Sequence, residues 1–211
     1  MSVATWAFAQ IYDAGMRASE EACLQAWRRE LLAPLTGSVL EIGAGTGANL
    51  DCYGSGVERL VLCEPDPTMR SKLQQRVSAL HAKAEVTSHE AQSLPLPNAS
   101  FDAVVSTLVL CSVPRQDDTL SELRRVLKPG GKLVFLEHVL AVDNPSRMRW
   151  QQRLEPLWTR VIPHCHITRD TERAIWEAGF RIERCTRESM RKAIPLARPT
   201  IRGIAIKPLA S

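Results

Sequence analysis

The chain has 211 residues, 45% hydrophobic and 24% charged, the proportions of one folded globular domain and not of a disordered segment. No apolar run approaches the ~18 residues of a membrane span, and the opening MSVATWAFAQIYDAG lacks the basic n-region of a signal peptide, so a soluble cytoplasmic protein is expected. The net charge of +4 is uneven: from Pro145 onward 14 Lys/Arg stand against 6 Asp/Glu, net +8, whereas the preceding part holds 13 against 17, net −4.

Short apolar strands alternate with helical patterns from Val39 onward, which indicates βαβ units and a parallel sheet. Ala18–Leu32 reads as an amphipathic helix ending before Pro34. Ser38–Ile42 is a strand, and the glycine loop after it turns into a helix near Gly47–Cys52. Arg59–Cys63 is the second strand, Pro67–Lys83 a helix with proline in its first turn, and Glu85–Ser88 a brief third strand. The turn-rich SLPLPNAS leads to Phe101–Leu110, a buried fourth strand. Gln116–Leu127 is a helix expected to stop at KPGG, where Pro129 cannot continue it and glycine suits a left-handed cap. Gly131–His138 is the fifth strand.

After it the alternation changes. Asn144–Val161 is a long helical stretch carrying Trp150 and Trp158, and IPHCHITRD is a loop. Thr171–Ala178 is a helix closed by Gly179 and capped by Thr168 or Asp170. Phe180–Thr186 and Thr200–Lys207 are two final strands. The expected organisation is a single domain over 1–211: an N-terminal helical cap to residue 35, a cofactor-binding core over 36–140, a substrate cap over 141–170, then the last helix and strands.

Six cysteines (Cys23, Cys52, Cys63, Cys111, Cys165, Cys185) show no C-x-x-C pair. Neither a zinc site nor a disulfide framework is indicated, and most are expected to be small buried hydrophobes. The basic third marks either an anionic partner, such as a membrane surface or nucleic acid, or solvated helices whose arginines pair with Glu172, Glu177, Glu183 and Glu188. No run of consecutive basic residues and no aromatic interleaving occurs, which favours the solvated reading and argues against nucleic acid.

The chemistry begins at VLEIGAGTG, Val39–Gly47. Read from Gly43, the loop Gly43-Ala44-Gly45-Thr46-Gly47-Ala48 satisfies the dinucleotide pattern G-x-G-x-x-G/A. Glu41 changes the reading. A carboxylate beside the loop conflicts with a pyrophosphate but suits the α-ammonium and sulfonium of S-adenosyl-L-methionine. Glu64 ends the second strand in LVLCEPDP and can accept from both ribose hydroxyls, whichever adenosine cofactor is bound. Glu90 follows the third strand and can accept from the adenine amino group, with the Ala91 N–H donating to a ring nitrogen. Each acid alone would pass as a solvated loop carboxylate. Three of them after three successive strands lie on the edge where open α/β sheets bind ligands.

With VLEIGAGTG, CEPDP, EAQSLPLPNASFD and LRRVLKPGGKLVFLEH together, the chain resembles the class I S-adenosylmethionine-dependent methyltransferases. That resemblance implies a Rossmann-like, doubly wound, mostly parallel seven-stranded α/β sheet whose last strand inserts antiparallel between the fifth and sixth, and the two final strands fit it. It extends the donor-binding set to Glu41, Gly43, Ala44, Gly45, Gly47, Asn49, Glu64, Pro65, Met69, Glu90, Ala91, Thr107 and Leu108. TLVLCSV, EHV, WQQRLEPLW, CHITRDT and RPTIRGIAIK look more narrowly like the alkyl thiol S-methyltransferases. Members of that group from animals carry a hydrophobic N-terminal anchor, where this chain has a short segment with Trp6, Phe8, Ile11, Tyr12 and Met16. The same core also resembles quinone-precursor and phospholipid N-methyltransferases.

The expected reaction is transfer of a methyl group to a small-molecule acceptor, a fairly apolar thiol or hydrogen sulfide. A thiol has a reference pKa of about 8.5 and needs only mild activation. His138, after the fifth strand, is the candidate catalytic residue, against the simpler reading of a packed histidine. Tyr12, Cys111, Trp150, Trp158 and His164 are the candidate acceptor pocket; the tryptophans serve equally well to seat the cap helix on the sheet. His164 and His166 flank Cys165, but with no further ligand in register no metal site is expected. The competing readings are an N-, C- or O-methyltransferase of a phospholipid, quinone precursor or secondary metabolite, in weak contact with a membrane surface, a cofactor-binding partner module without turnover, and an NAD dehydrogenase. The sequence leaves the oligomeric state open.

Overall fold

The computed structural model describes residues 14–162 and 164–209. Its centre is a seven-stranded sheet made of β1 (Gly37–Ile42), β2 (Val57–Cys63), β3 (Ala84–Thr87), β4 (Phe101–Thr107), β5 (Leu127–His138), β6 (Arg181–Ser189) and β7 (Pro199–Ile206). The order is β3-β2-β1-β4-β5-β7-β6, with β1 to β5 parallel and β7 antiparallel to both its neighbours. The chain leaves β1 toward β2 on one side, then returns to place β4 on the other. The C-terminal ends of β1 and β4 therefore flank the topological switch point, where such sheets open a crevice.

Side chains alternate across the pleat, so parity assigns each strand residue to a face. Val39, Leu60, Leu62, Ala103, Val105, Val134 and Leu136 share one apolar layer with Leu31, Leu32 and Leu73. These three come from α1 (Gln25–Leu32) and α2 (Pro67–Ala79). Leu40, Ile42, Val61, Cys63, Val104, Leu133 and Phe135 point the other way, against Leu120, Leu123 and Val126 of α3 (Gln116–Val126) and Ile175 of α5 (Thr171–Glu177). By the same rule Glu41 and Thr107 face α1, whereas Ser106 and Glu137 face the α3 side. α4 (Pro145–Val161) lies outside both layers.

The helix starts follow local chemistry. Asp66 accepts from the N–H groups of Thr68 and Met69 ahead of Pro67, Asn144 from Arg147, and Asp170, not Thr168, from Arg173. Each carboxylate or amide satisfies donors that an open helix end would leave unpaired. Five cysteines are buried and none is in a disulfide.

Four expected boundaries differ. The glycine loop does not become an α-helix; only a 3-10 turn forms at Leu50–Cys52, because Gly43, Gly45 and Gly47 all hold left-handed backbone. β4 ends at Thr107, since Leu108 at φ +61° turns the chain out of the sheet. α2 stops at Ala79, short of Lys83, with His81 left-handed. Finally, KPGG is not a helix cap. Leu127 is already extended and pairs with Phe101, and Pro129-Gly130 form a bulge within β5.

Candidate functional site

The glycine loop sits at the end of β1 with Glu41 beneath it. At Gly43, φ is +55° and an added Cβ would lie 2.5 Å from a methyl of Val109, so the glycine loop can approach the loop after β4 only with glycine there. Gly45 is also left-handed, but its missing side chain faces open space. Backbone is thus presented to whatever occupies the crevice.

Glu41 is 2% exposed. One carboxyl oxygen accepts from Asn49 Nδ2 at 2.9 Å and the other from the Tyr53 hydroxyl at 2.5 Å. Burial pushes its pKa up to about 7, against the pull of these two hydrogen bonds and of Arg28. The Tyr53 hydroxyl is itself pushed well up by burial and by Glu41. The Glu41 carboxyl is therefore poised between its two charge states near neutrality.

The residue that organises this site carries no local signal of its role. Arg28 of α1, 4% exposed, donates through Nη1 to Asn49 Oδ1 at 2.7 Å and to Thr107 Oγ1 at 3.0 Å. Through Nε and Nη2 it grips the Glu20 carboxylate at 3.2 and 2.9 Å. Glu20 opens a π-helical turn, Glu20–Leu24; such turns break α-helical register and recur at functional sites. Asn49 Nδ2 also donates to Thr107 Oγ1 at 2.9 Å. One buried network thus joins the N-terminal helix, the glycine loop and β4.

Glu64 closes the second side of the crevice. Its oxygens accept from Gly45 N–H and Asp66 N–H, both at 2.8 Å, and each keeps a lone pair for a further donor. Burial raises its pKa. Pro65 is exposed and Met69 half-buried beside it. Glu90 differs: it is exposed and accepts from Gln92 at 2.6 Å, while the adjoining Ala91 is buried.

The wall after β4 is held by a residue that in sequence merely interrupts an apolar strand. Glu137 is fully buried. It accepts from the Ser106 hydroxyl at 2.6 Å and from the N–H groups of Val109, Leu110 and Cys111 at 3.2, 3.1 and 3.3 Å. Burial pushes its pKa up while these donors pull it down. The carboxyl acts as a clamp that shapes the 108–113 loop beside the crevice.

Of the acceptor-side candidates, the structure gathers three. Cys111 and Cys165 share a small apolar cluster with Ile167 and Ala197, covered by Trp158, Ile162 and Leu196. His166 N–H donates to the Cys111 carbonyl at 2.8 Å, which fastens the two loops together. His138 adjoins this cluster through a hydrogen bond to the Ala197 backbone, and burial lowers its pKa to about 4. Its imidazole is neutral at physiological pH, and its buried Nδ1 has no partner among the described residues. A histidine this weakly basic accepts a hydrogen bond more readily than it holds a proton.

Two candidates fall elsewhere. Trp150 is 56% exposed on the outer face of α4, outside the apolar cluster of Cys111 and Cys165. His164 is exposed, whereas His166 pairs with Glu155 at 2.9 Å. Tyr12, like Trp6, Phe8 and Ile11, lies outside the described residues. No group of three or more metal-ligating side chains occurs among the described residues.

Comparison with known proteins places this geometry. A methyltransferase-domain family matches residues 40–135. The thiol S-methyltransferase TMT1A of Homo sapiens is 35% identical over 173 residues, covering 81% of this chain and 70% of that protein. The thiol S-methyltransferase TMT1B of Homo sapiens is 34% identical over 196 residues, covering 87% and 80%. Among solved structures, a SAM-dependent methyltransferase from Thermotoga maritima, described as a possible histamine N-methyltransferase, superposes with a TM-score of 0.69 at 18% identity over 96% of this chain and 97% of that one.

Proposed function

Since the chain belongs to the class I S-adenosylmethionine-dependent methyltransferases, close to the thiol S-methyltransferases, we propose that it methylates the sulfur of a small apolar thiol or of hydrogen sulfide. The observation that carries this reading is the extent of the likeness to the two human thiol S-methyltransferases. At 173 and 196 aligned residues it runs well beyond the shared core at 40–135 and into the segments around the acceptor side.

The bound donor supplies an already activated sulfonium methyl. The residues present suit such a ligand. Glu41 and Glu64 place two buried carboxyl groups beside the loop, favourable to a cationic amino acid and hostile to a pyrophosphate. Glu64 keeps a lone pair on each oxygen for ribose hydroxyls, and Thr107, already accepting twice, keeps its proton to donate. Gly43, Ala44, Gly45, Gly47 and Leu108 present backbone, and Ala91 with Glu90 forms the adenine end. On the acceptor side Cys111, Cys165 and Trp158 provide an apolar wall that excludes water. His138, neutral and with its Nδ1 lone pair unpartnered among the described residues, can accept only from an acceptor that still carries its S–H.

Among the described residues no strong base stands at this site, so the acceptor arrives as thiolate or loses its proton to water. For alkyl thiols kcat/KM is expected to rise about tenfold per pH unit below the thiol pKa and to level above it. Purified protein incubated with labelled donor and a panel of thiols, amines and phenols checks this. Transfer to an amine or phenol with none to any thiol overturns the proposal.

Glu41 adds a separate pH effect. In the free protein its raised pKa makes a contribution to stability that is complete below about 4.5 and lost as pH rises through about 7. A cationic ligand beside it favours the carboxylate and expels the proton. Donor affinity is therefore expected to rise severalfold between pH 6 and 8, with a proton released on binding; Glu41→Gln binds more weakly and without that slope. Calorimetry in two buffers of different ionisation enthalpy measures it.

A further inference from the structure

The structure divides the basic C-terminal third into two parts. Beyond α4 most of the arginines find partners: Arg173 with Glu177, Arg184 with Glu30, Arg187 with Glu172, Arg202 with Glu188 and Glu30, and Arg169 with the carbonyls of Leu110 and Val113. α4 is different. Among the described residues no carboxylate pairs with Arg147, Arg149, Arg153 or Arg160, and the helix's one acid, Glu155, turns inward to His166.

Exposed apolar groups collect in the same place. Of the eight large hydrophobic side chains exposed among the described residues, five stand on α4 or the two loops beside it. They are Trp150 at 56%, Leu157 at 57%, Val161 at 65%, Ile194 at 57% and Val142 at 42%. The reason lies in how the helix is anchored. Gln151, its only fully buried residue, accepts from Ala141 N–H at 2.8 Å and donates to the carbonyls of Val139 and Leu196 at 3.1 and 2.9 Å. A polar clamp, with Trp158 beside it, holds α4 down, so its apolar stripe need not face the core.

At about 100° per residue, Arg149, Arg160, Arg153, Leu157, Trp150 and Val161 fall within an arc of roughly 120°, with Gln151, Glu155 and Trp158 opposite. Along that arc the cations occupy one side and the apolar groups the other. A recess of about 220 Å³ lined by Ser146, Arg149, Trp150 and Arg153 lies within it. The face has the composition of a helix lying in the plane of a lipid interface, where guanidinium groups meet headgroup phosphates and Trp, Leu and Val enter the acyl boundary.

We propose that the outer face of α4 docks on an anionic phospholipid surface, with the phosphate of a lipid headgroup seated between Arg149 and Arg153. α4 follows directly from the β5 end that carries Glu137 and His138, so docking sets the acceptor side of the crevice against the bilayer. On the thiol reading, which this second clause rests on, an apolar acceptor is then drawn from the membrane.

Sedimentation with phosphatidylcholine vesicles, with and without phosphatidylserine, tests the docking. Binding is expected only with the anionic lipid and to weaken as salt rises. R149E/R153E should weaken it tenfold or more, with donor affinity and melting temperature unchanged because those side chains are exposed. W150F should remove a blue shift in tryptophan emission on vesicle addition. Equal binding to neutral vesicles, binding untouched by R149E/R153E, or no binding at all overturns the proposal. So does a dimer in light scattering that dissociates on R149E/R153E without vesicle binding, which would make the face a self-contact. Binding of an oligonucleotide in place of vesicles overturns it as well. Thiol methylation is read in a separate assay, so failure of that function and failure of docking are distinguishable.

Discussion

Arg28→Met is expected to lower stability by about 3–5 kcal/mol and to reduce donor affinity by at least about tenfold. The substitution removes a 4%-exposed guanidinium whose hydrogen bonds reach Glu20, Asn49 and Thr107. Methionine fills much of the space but leaves the Asn49 and Thr107 oxygens short of a donor in a site closed to water, and deprives Glu20 of its partner. For a chain of this size each kcal/mol moves the melting temperature by about 2–4 °C, so a fall of roughly 10 °C is expected. Arg28→Lys should lie between wild type and Met, since an ammonium retains the charge but not the fork that grips a carboxylate on one side and two oxygens on the other. A melting curve and a donor titration for both variants check this; an Arg28→Met protein that melts and binds as wild type would mean the network is ornamental.

Glu137→Ala should be comparably damaging, about 3–5 kcal/mol. The lost carboxyl leaves the Ser106 hydroxyl and three backbone N–H groups of the 108–113 loop without an acceptor at a fully buried position. Glu137→Gln keeps one oxygen but turns an acceptor into a donor facing N–H groups, so it should fall between. Because the clamp shapes the loop beside the crevice, surviving Glu137→Gln protein should lose kcat more than it loses donor affinity. Thermal melts and steady-state kinetics on the two variants decide it.

Much of the crevice is legible in the sequence, for local reasons. The glycine loop needs left-handed backbone at Gly43, Gly45 and Gly47, and only glycine tolerates that freely. Acids at strand ends advertise themselves against apolar runs, which is how Glu41 and Glu64 stood out. Glu90 carries the same signal, and the structure leaves it exposed and paired with Gln92 beside the buried Ala91. The tryptophans are less legible: Trp150 and Trp158 look alike along the helix pattern, and nothing local says that Gln151 anchors α4 and turns Trp150 outward.

The sequence by itself determined what depends on near neighbours: the strands and their alternation, the Asp170 cap and the left-handed turn at the glycine loop, while the order of the sheet is what the family resemblance implied. Only the tertiary structure decided what depends on residues far apart in the chain. Arg28 meets Thr107 across 79 positions, Glu137 meets Ser106 across 31, and Arg202 meets Glu30 across 172. Which arginines are neutralised and which remain free on α4 has no local signature. A charge is satisfied by whichever group the packed layers bring within about 3 Å, and the packing, not the spacing along the chain, makes that choice.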